Sequence, residues 1–251
     1  MEKGSVKFEL VNGVGKITFF HPKGNSLPSN LLQELANLIN DAGQNPEVKV
    51  IVLGSEGEKV FCAGASFDEL LEIDNFDDGY KFFSGFADVI NAMRKCPKFI
   101  IGRIQGKAVG GGVGLIAACD YAIAHSSAAI RLSEFAIGIG PFVIGPAVER
   151  KIEKAAFAQF AIDIEWYDAH WVYNRGLYAK MFDTHQEMDK AINKLTKLLA
   201  ESSLDATAEL KKMYWEGTEN WDALLSERAK ISGKLILSDF AKNYIRQFKN
   251  K

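Results

Sequence analysis

The chain has 251 residues, 47% hydrophobic and 25% charged. These proportions lie near the globular average and exclude a chain disordered throughout, while the length supports one core, or one core with a small appendage. With 30 basic and 32 acidic residues the net charge is −2, a poor balance for non-specific binding to nucleic acid or to an anionic membrane surface.

Residues 6–11 and 14–20 read as two strands around Asn12-Gly13, a strong hairpin signal. Pro28-Ser29 opens a helix that carries Leu31, Leu32, Leu35, Leu38 and Ile39 on one face. Residues 48–53 form a buried strand, 54–57 a loop, and a short extended piece ends at Phe61-Cys62. Residues 67–95 read as largely helical, with Tyr80, Phe83, Phe86, Ile90 and Met93 at helical spacing, until Pro97 stops the helix. A strand over 99–104, a glycine-led helix over 110–118 and strands over 121–124 and 129–132 follow. Strand, strand, helix, repeated about four times, predicts an α/β layer structure in which each turn contributes to two sheet surfaces.

The texture changes near residue 183. Thr184-His185-Gln186-Glu187 has capping-box spacing, and Met188, Ile192, Leu195, Leu198 and Leu199 continue an amphipathic helix. From there to Lys251 the chain reads as helical. The expected organisation is a core over 1–183 and a helical region over 184–251, packed on that core or on a neighbouring subunit.

Targeting and metal signals are weak. Residues 1–6 contain no apolar signal core, and no apolar run approaches the roughly 20 residues of a membrane span. Cys62, Cys96 and Cys119 form no CxxC, and His21, His125, His170 and His185 form no HExxH. The expectation is a cytoplasmic protein with no membrane contact, no nucleic-acid partner and no metal site.

Two glycine-rich clusters carry the chemistry. The first is Gly106-Lys107-Ala108-Val109-Gly110-Gly111-Gly112-Val113-Gly114. Its Gly112-Val113-Gly114-Leu115-Ile116-Ala117 matches GxGxxA, but no acidic residue ends a following strand at dinucleotide-site distance. A phosphate-binding P-loop fails because Gly102 to Lys107 is one residue short and Ala108 follows the lysine. Two readings stay open: backbone N–H groups converging on an anion at a helix start, or glycines that only permit close packing. The second cluster is Phe61-Cys62-Ala63-Gly64-Ala65-Ser66-Phe67, where Asp68 defeats a GxSxG nucleophile.

Together these clusters resemble the crotonase (enoyl-CoA hydratase/isomerase) superfamily. Asn25-Ser26-Leu27, the two glycine clusters, Cys119-Asp120, Leu132-Ser133-Glu134-Phe135 and Gly138-Ile139-Gly140-Pro141 fall in the family's order and spacing. Arg175-Gly176-Leu177 and the helical tail extend the match weakly. The resemblance implies a spiral of ββα turns, a helical C-terminal trimerisation region, and a homotrimer or dimer of trimers. It also implies an acyl-CoA substrate that carries the coenzyme itself, with no metal or redox cofactor. By motif position the thioester oxygen would sit between the N–H groups of Ala63 and Gly111. CoA would lie against Cys62, Ala65 and Phe67, with Lys23 either a phosphate contact or a solvated loop lysine. Phe142 and Gly114 would border the acyl group.

Hydratases of this family hold a water between two carboxylates. Glu134 stands at one position; Gly114 occupies the other and has no side chain. Isomerases that shift a double bond from C3 to C2 need a single carboxylate, so the expected reaction is Δ3-Δ2-enoyl-CoA isomerisation with Glu134 as acid and base. The bland reading of Glu134 is a surface or salt-bridged glutamate after a strand. Alternatives are a 2-enoyl-CoA hydratase with its second carboxylate relocated to Asp68, Glu69, Asp163, Glu165 or Asp168, an acyl-CoA decarboxylase, and a non-catalytic acyl-CoA-binding scaffold. Phe142-Val143-Ile144 reads as an apolar lining able to raise a carboxyl pKa. The aromatic run at 166–171 fits core packing or acyl recognition.

Overall fold

A computed structural model describes residues 4–249; the ends of the chain, 1–3 and 250–251, lie outside the described residues. Strands β1 (Ser5–Val11) and β2 (Val14–Phe20) form the expected hairpin, with Val11 opposite Val14. Helix α1 (Ser29–Gln44) then buries Leu31, Leu32, Leu35 and Ile39. The next three turns repeat one plan. The first is β3 (Val50–Ser55), β4 (Val60–Cys62), α2 (Phe67–Glu72) and α3 (Phe76–Lys95). The second is β5 (Ile100–Ile104), β6 (Lys107–Val109) and α4 (Gly111–Ala118). The third is β7 (Tyr121–His125), β8 (Ile130–Arg131) and α5 (Gly145–Asp163). Helix α6 (Ala169–Asn174), β9 (Lys180–Phe182), α7 (His185–Ala200), α8 (Leu204–Tyr214), α9 (Trp221–Leu235) and α10 (Asp239–Lys249) complete the described chain.

The strands sort into two sheets. The larger has the order β1-β2-β3-β5-β7-β9, parallel except for the β1–β2 hairpin; the smaller is the parallel trio β4-β6-β8. This is the expected ββα spiral. The first turn departs from it, because both of its strands join the large sheet and only Leu27, bridged to Ala65, lies beside the small one.

Every residue of β3 is buried, as parallel strands covered on both faces require. Ile51 and Leu53 face the main core, whereas Val50 and Val52, with Ile101 and Ile123, pack outward against Met188 and Ile192 of α7. Thr184 caps α7 as its spacing predicts: its Oγ1 accepts from the N–H of Glu187 at 3.2 Å and donates to the Glu187 carboxylate at 2.9 Å. The expected helix over 67–95 breaks at 73–75, where the Asn75 side chain accepts from the N–H of Asp78 and starts α3 afresh.

Residues beyond 183 pack on their own chain. Helix α9 crosses α3 with Gly79 against Gly233. A Cβ on Gly79 would lie 2.9 Å from the Gly233 carbonyl oxygen, so only glycine allows this approach. Helix α8 is tied down by a buried ion pair between Lys211 Nζ and Asp120 Oδ2 at 2.8 Å. Asp120 also accepts from Trp215 Nε1 at 3.0 Å and from the N–H of Ile100 at 2.8 Å, so one carboxylate joins α8 to the large sheet.

Candidate active site

The three short strands of the small sheet run parallel, so their C-terminal ends lie side by side. The chain leaves β4 at Ala63-Gly64-Ala65, β6 at Gly110-Gly111, and β8 at Leu132-Ser133-Glu134. The loops meet closely. A Cβ on Gly64 would lie 2.9 Å from the carbonyl oxygen of Val109 and 3.5 Å from the Gly111 nitrogen. Gly64 and Gly110 have φ of 89° and 53°, conformations that glycine adopts without strain. A Cβ on Gly110 would also stand 3.0 Å from Glu134 Oε1.

These loops border an apolar cavity of about 170 Å³ whose other walls include Phe82, Phe86, Ile139, Phe142, Ile144 and, from α9, Ser232. A larger cleft of about 880 Å³ lies on the far side of the molecule between β2 and α7 and is crossed by an Arg103–Asp189 ion pair. None of the expected site residues lines that cleft.

The donor expected at Ala63 is corrected. Its N–H is bonded to the Gly24 carbonyl at 3.0 Å, and the residue lies at an exposed position. Two residues on, the Leu27 bridge engages the carbonyl of Gly64 and the N–H of Ser66. The intervening N–H of Ala65 faces away from Leu27 and has no acceptor among the described residues. Gly111, the first residue of α4, likewise leaves its N–H unpaired, at the positive end of the helix. The pair on the cavity wall is Ala65 and Gly111.

Among the described residues Glu134 is the only ionisable side chain in that wall. Among the described residues it makes no salt bridge, and its Oε2 is shut off from solvent with no hydrogen-bond partner. Burial pushes its pKa from 4.5 up to about 7, with main-chain N–H groups of Glu134 and Ser133 acting weakly the other way. The reading as a surface or salt-bridged glutamate fails.

Gly114 does not reach the cavity. A Cβ there would fall 2.4 Å from Ile144 Cγ2, so Ile144 fills the place from which a second carboxylate would project. None of the relocation candidates lines the cavity. Asp68 pairs with Lys23 on the surface, Glu69 accepts from Ser29, Asp163 accepts from Tyr167, and Asp168 caps α6. Glu165 sits at an exposed position.

Ala65, Phe67 and Phe142 line the cavity, together with Ala63. Cys62 does not: it points into the core against Gly112, and burial raises its thiol pKa to about 12. Lys23 lies outside the wall in its ion pair with Asp68. Ser66 caps α2, its hydroxyl accepting from the N–H of Glu69. In the aromatic run, Tyr167 and Trp171 pack on Phe160, so packing accounts for them.

A ββα spiral with two free main-chain donors and one carboxyl bordering a single apolar cavity defines the crotonase fold. The comparisons give its family: the chain matches the enoyl-CoA hydratase/isomerase family over residues 9–249 and belongs to it. It is 32% identical to the mitochondrial methylglutaconyl-CoA hydratase of Rattus norvegicus over 178 residues, 70% of this chain but 56% of that protein, so the match spans about half of that relative. It is 27% identical to the "probable enoyl-CoA hydratase" of Bacillus subtilis over 240 residues, 95% of this chain and 93% of the other. An enoyl-CoA hydratase from Mycobacterium avium superposes with a TM-score of 0.86 at 27% identity, covering 98% of this chain and 96% of that one.

Proposed function

We propose that this enzyme shifts the double bond of a 3-enoyl-CoA thioester to C2, with Glu134 as its only acid and base. The supporting observation is that Glu134 stands alone: among the described residues no second ionisable group lines the cavity, and Ile144 occupies the space beside Gly114. The thioester oxygen accepts from the N–H groups of Ala65 and Gly111. As the Glu134 carboxylate removes a proton from C2, negative charge moves onto that oxygen, where preorganised donors stabilise it most. The new carboxylic acid then returns the proton to C4. A carboxyl with a pKa of about 7 exchanges a proton in both directions near neutral pH, the condition for an efficient shuttle. The apolar walls keep the dienolate away from water.

The relatives' names favour a second reading, hydration of a 2-enoyl thioester. Hydration needs a water aimed at C3 as well as the proton for C2, and Glu134 would have to serve both alone. One experiment separates the two. A 3-enoyl-CoA and a 2-enoyl-CoA are supplied in D₂O to the native enzyme and to Glu134→Gln, and products are read by mass and deuterium position. Isomerisation without 3-hydroxyacyl product, lost on the order of 10²–10⁴-fold in the variant, supports the single-carboxylate isomerase. Formation of 3-hydroxyacyl-CoA by the native enzyme overturns it.

A further inference from the structure

Beside the catalytic cavity lies a second apolar groove of about 420 Å³, open to the surface. The two spaces share Gly140, Pro141 and Phe142; beyond these the groove is walled by Pro146, Phe157 and Ile162. Helix α9 passes both, with Ser232 facing the cavity and Arg228 facing the groove. Four residues along a helix are about 6 Å, so the spaces are immediate neighbours.

Phe142 stands between them on a tight turn. Its N–H donates to the Gly140 carbonyl at 2.7 Å, a three-residue turn whose centre, Pro141, has its φ fixed by the ring. The Phe142 ring lies over Gly140: a Cβ there would be 2.8 Å from its Cζ. The aromatic ring is therefore held in place by a stiff turn and a flat glycine seat. The cavity on the catalytic side, about 170 Å³, is smaller than the 300–1,000 Å³ of ordinary small-molecule sites. The groove's outer lip is apolar, with Ile162 70% and Phe135 61% exposed.

We infer that Phe142 is a specificity-determining residue: its ring closes the catalytic cavity against the neighbouring groove and restricts the enzyme to short acyl chains, and that groove is the path a longer chain takes once the ring is removed. The inference rests on the reading that the thioester is held at Ala65 and Gly111.

Saturated acyl-CoA esters from C4 to C12 test it, because they can be neither isomerised nor hydrated. They are titrated calorimetrically into the native enzyme, Phe142→Ala, the milder Phe142→Leu, and Phe142→Ala/Ile162→Asp. Each methylene that becomes buried strengthens binding about fourfold. The native enzyme is expected to show this rise only for the shortest chains and then level off. Phe142→Ala continues the rise toward C12, Phe142→Leu extends it part of the way, and adding Ile162→Asp at the exposed lip flattens it again. A native rise that continues to C12 overturns the inference. So does a Phe142→Ala profile that levels off where the native one does, the result expected if a second copy of the chain covers the groove. Turnover enters none of these readouts, so a failed isomerase assay leaves them intact; absence of binding at every length overturns this inference together with the thioester site.

Discussion

The two sheets of this molecule divide the work unequally. The large sheet has strands of up to seven residues, its central strands β3, β5 and β7 are covered on the outer side by α7, and among the described residues no strand of it ends on the cavity. The small sheet has strands of three, three and two residues, yet each of them leads into a loop carrying one part of the site: Ala65, Gly111 and Glu134. Short strands suffice because they need only bring three chain exits together; the rest of the protein holds them there. The contrast teaches that stability and chemistry are set by different halves of each ββα turn, and substitutions should separate them.

The largest effect is expected at Asp120, on the large-sheet side. Asp120→Ala leaves Lys211 buried without its ion pair and removes an acceptor from Trp215 and Ile100. Denaturant unfolding should show a loss of about 3–5 kcal/mol, with kcat of the folded fraction unchanged. A parallel fall in kcat would break the division.

Glu134 should behave in the opposite sense. Its folded-state pKa of about 7 lies above the ordinary 4.5, so the folded protein holds this proton more tightly than the unfolded chain. Stability therefore falls as pH rises from 4.5 to 7, and above 7 the buried charge costs about 3 kcal/mol. Glu134→Gln should raise the unfolding free energy by that order at pH 8 and leave it nearly unchanged at pH 4.5. For the native enzyme, kcat/KM should rise with pH and flatten above about 7, following the carboxylate form. Equal stability of the two proteins at pH 8 would mean that the site carries no stored cost.

Much of this was readable in the residues. The alternation of apolar strands with helical periods gave repeated strand-strand-helix turns in an α/β layer structure; the spiral, and the reading of Glu134 beside Gly114 as a lone carboxylate, came from the family resemblance. Other features carried no side-chain signal. Ala63 and Ala65 are identical residues two apart, and which N–H is free depends on Leu27 pairing across the loop. Strand β6 is three residues inside a glycine-rich run and begins with exposed Lys107, too short for any period to show. Cys62, at the end of an extended piece, was expected beside CoA, but strand parity turns it inward.

Smaller effects sharpen the comparison further. Gly110→Ala forces a φ of 53° on a residue with a side chain and pushes its Cβ to 3.0 Å from Glu134 Oε1. A stability loss of about 1–3 kcal/mol should come with a reduced kcat, because this short-sheet exit serves both ends. Thr184→Ala, at the cap of α7 on the outer face, should cost about 1 kcal/mol by thermal or denaturant melting, with kcat and KM unaltered. A kinetic change there would show that the outer layer reaches the site after all.

The place of Ser232 in the cavity wall has a consequence for biosynthesis. The loops bearing Ala65, Gly111 and Glu134, and the lining residues through Ile144, are translated well before α9. At roughly 5–20 residues per second, several seconds or more of synthesis separate Ile144 from Ser232. A chain that ended before α9 would therefore lack the Ser232 wall and leave Phe82, Phe86 and Ile139 in an incomplete pocket.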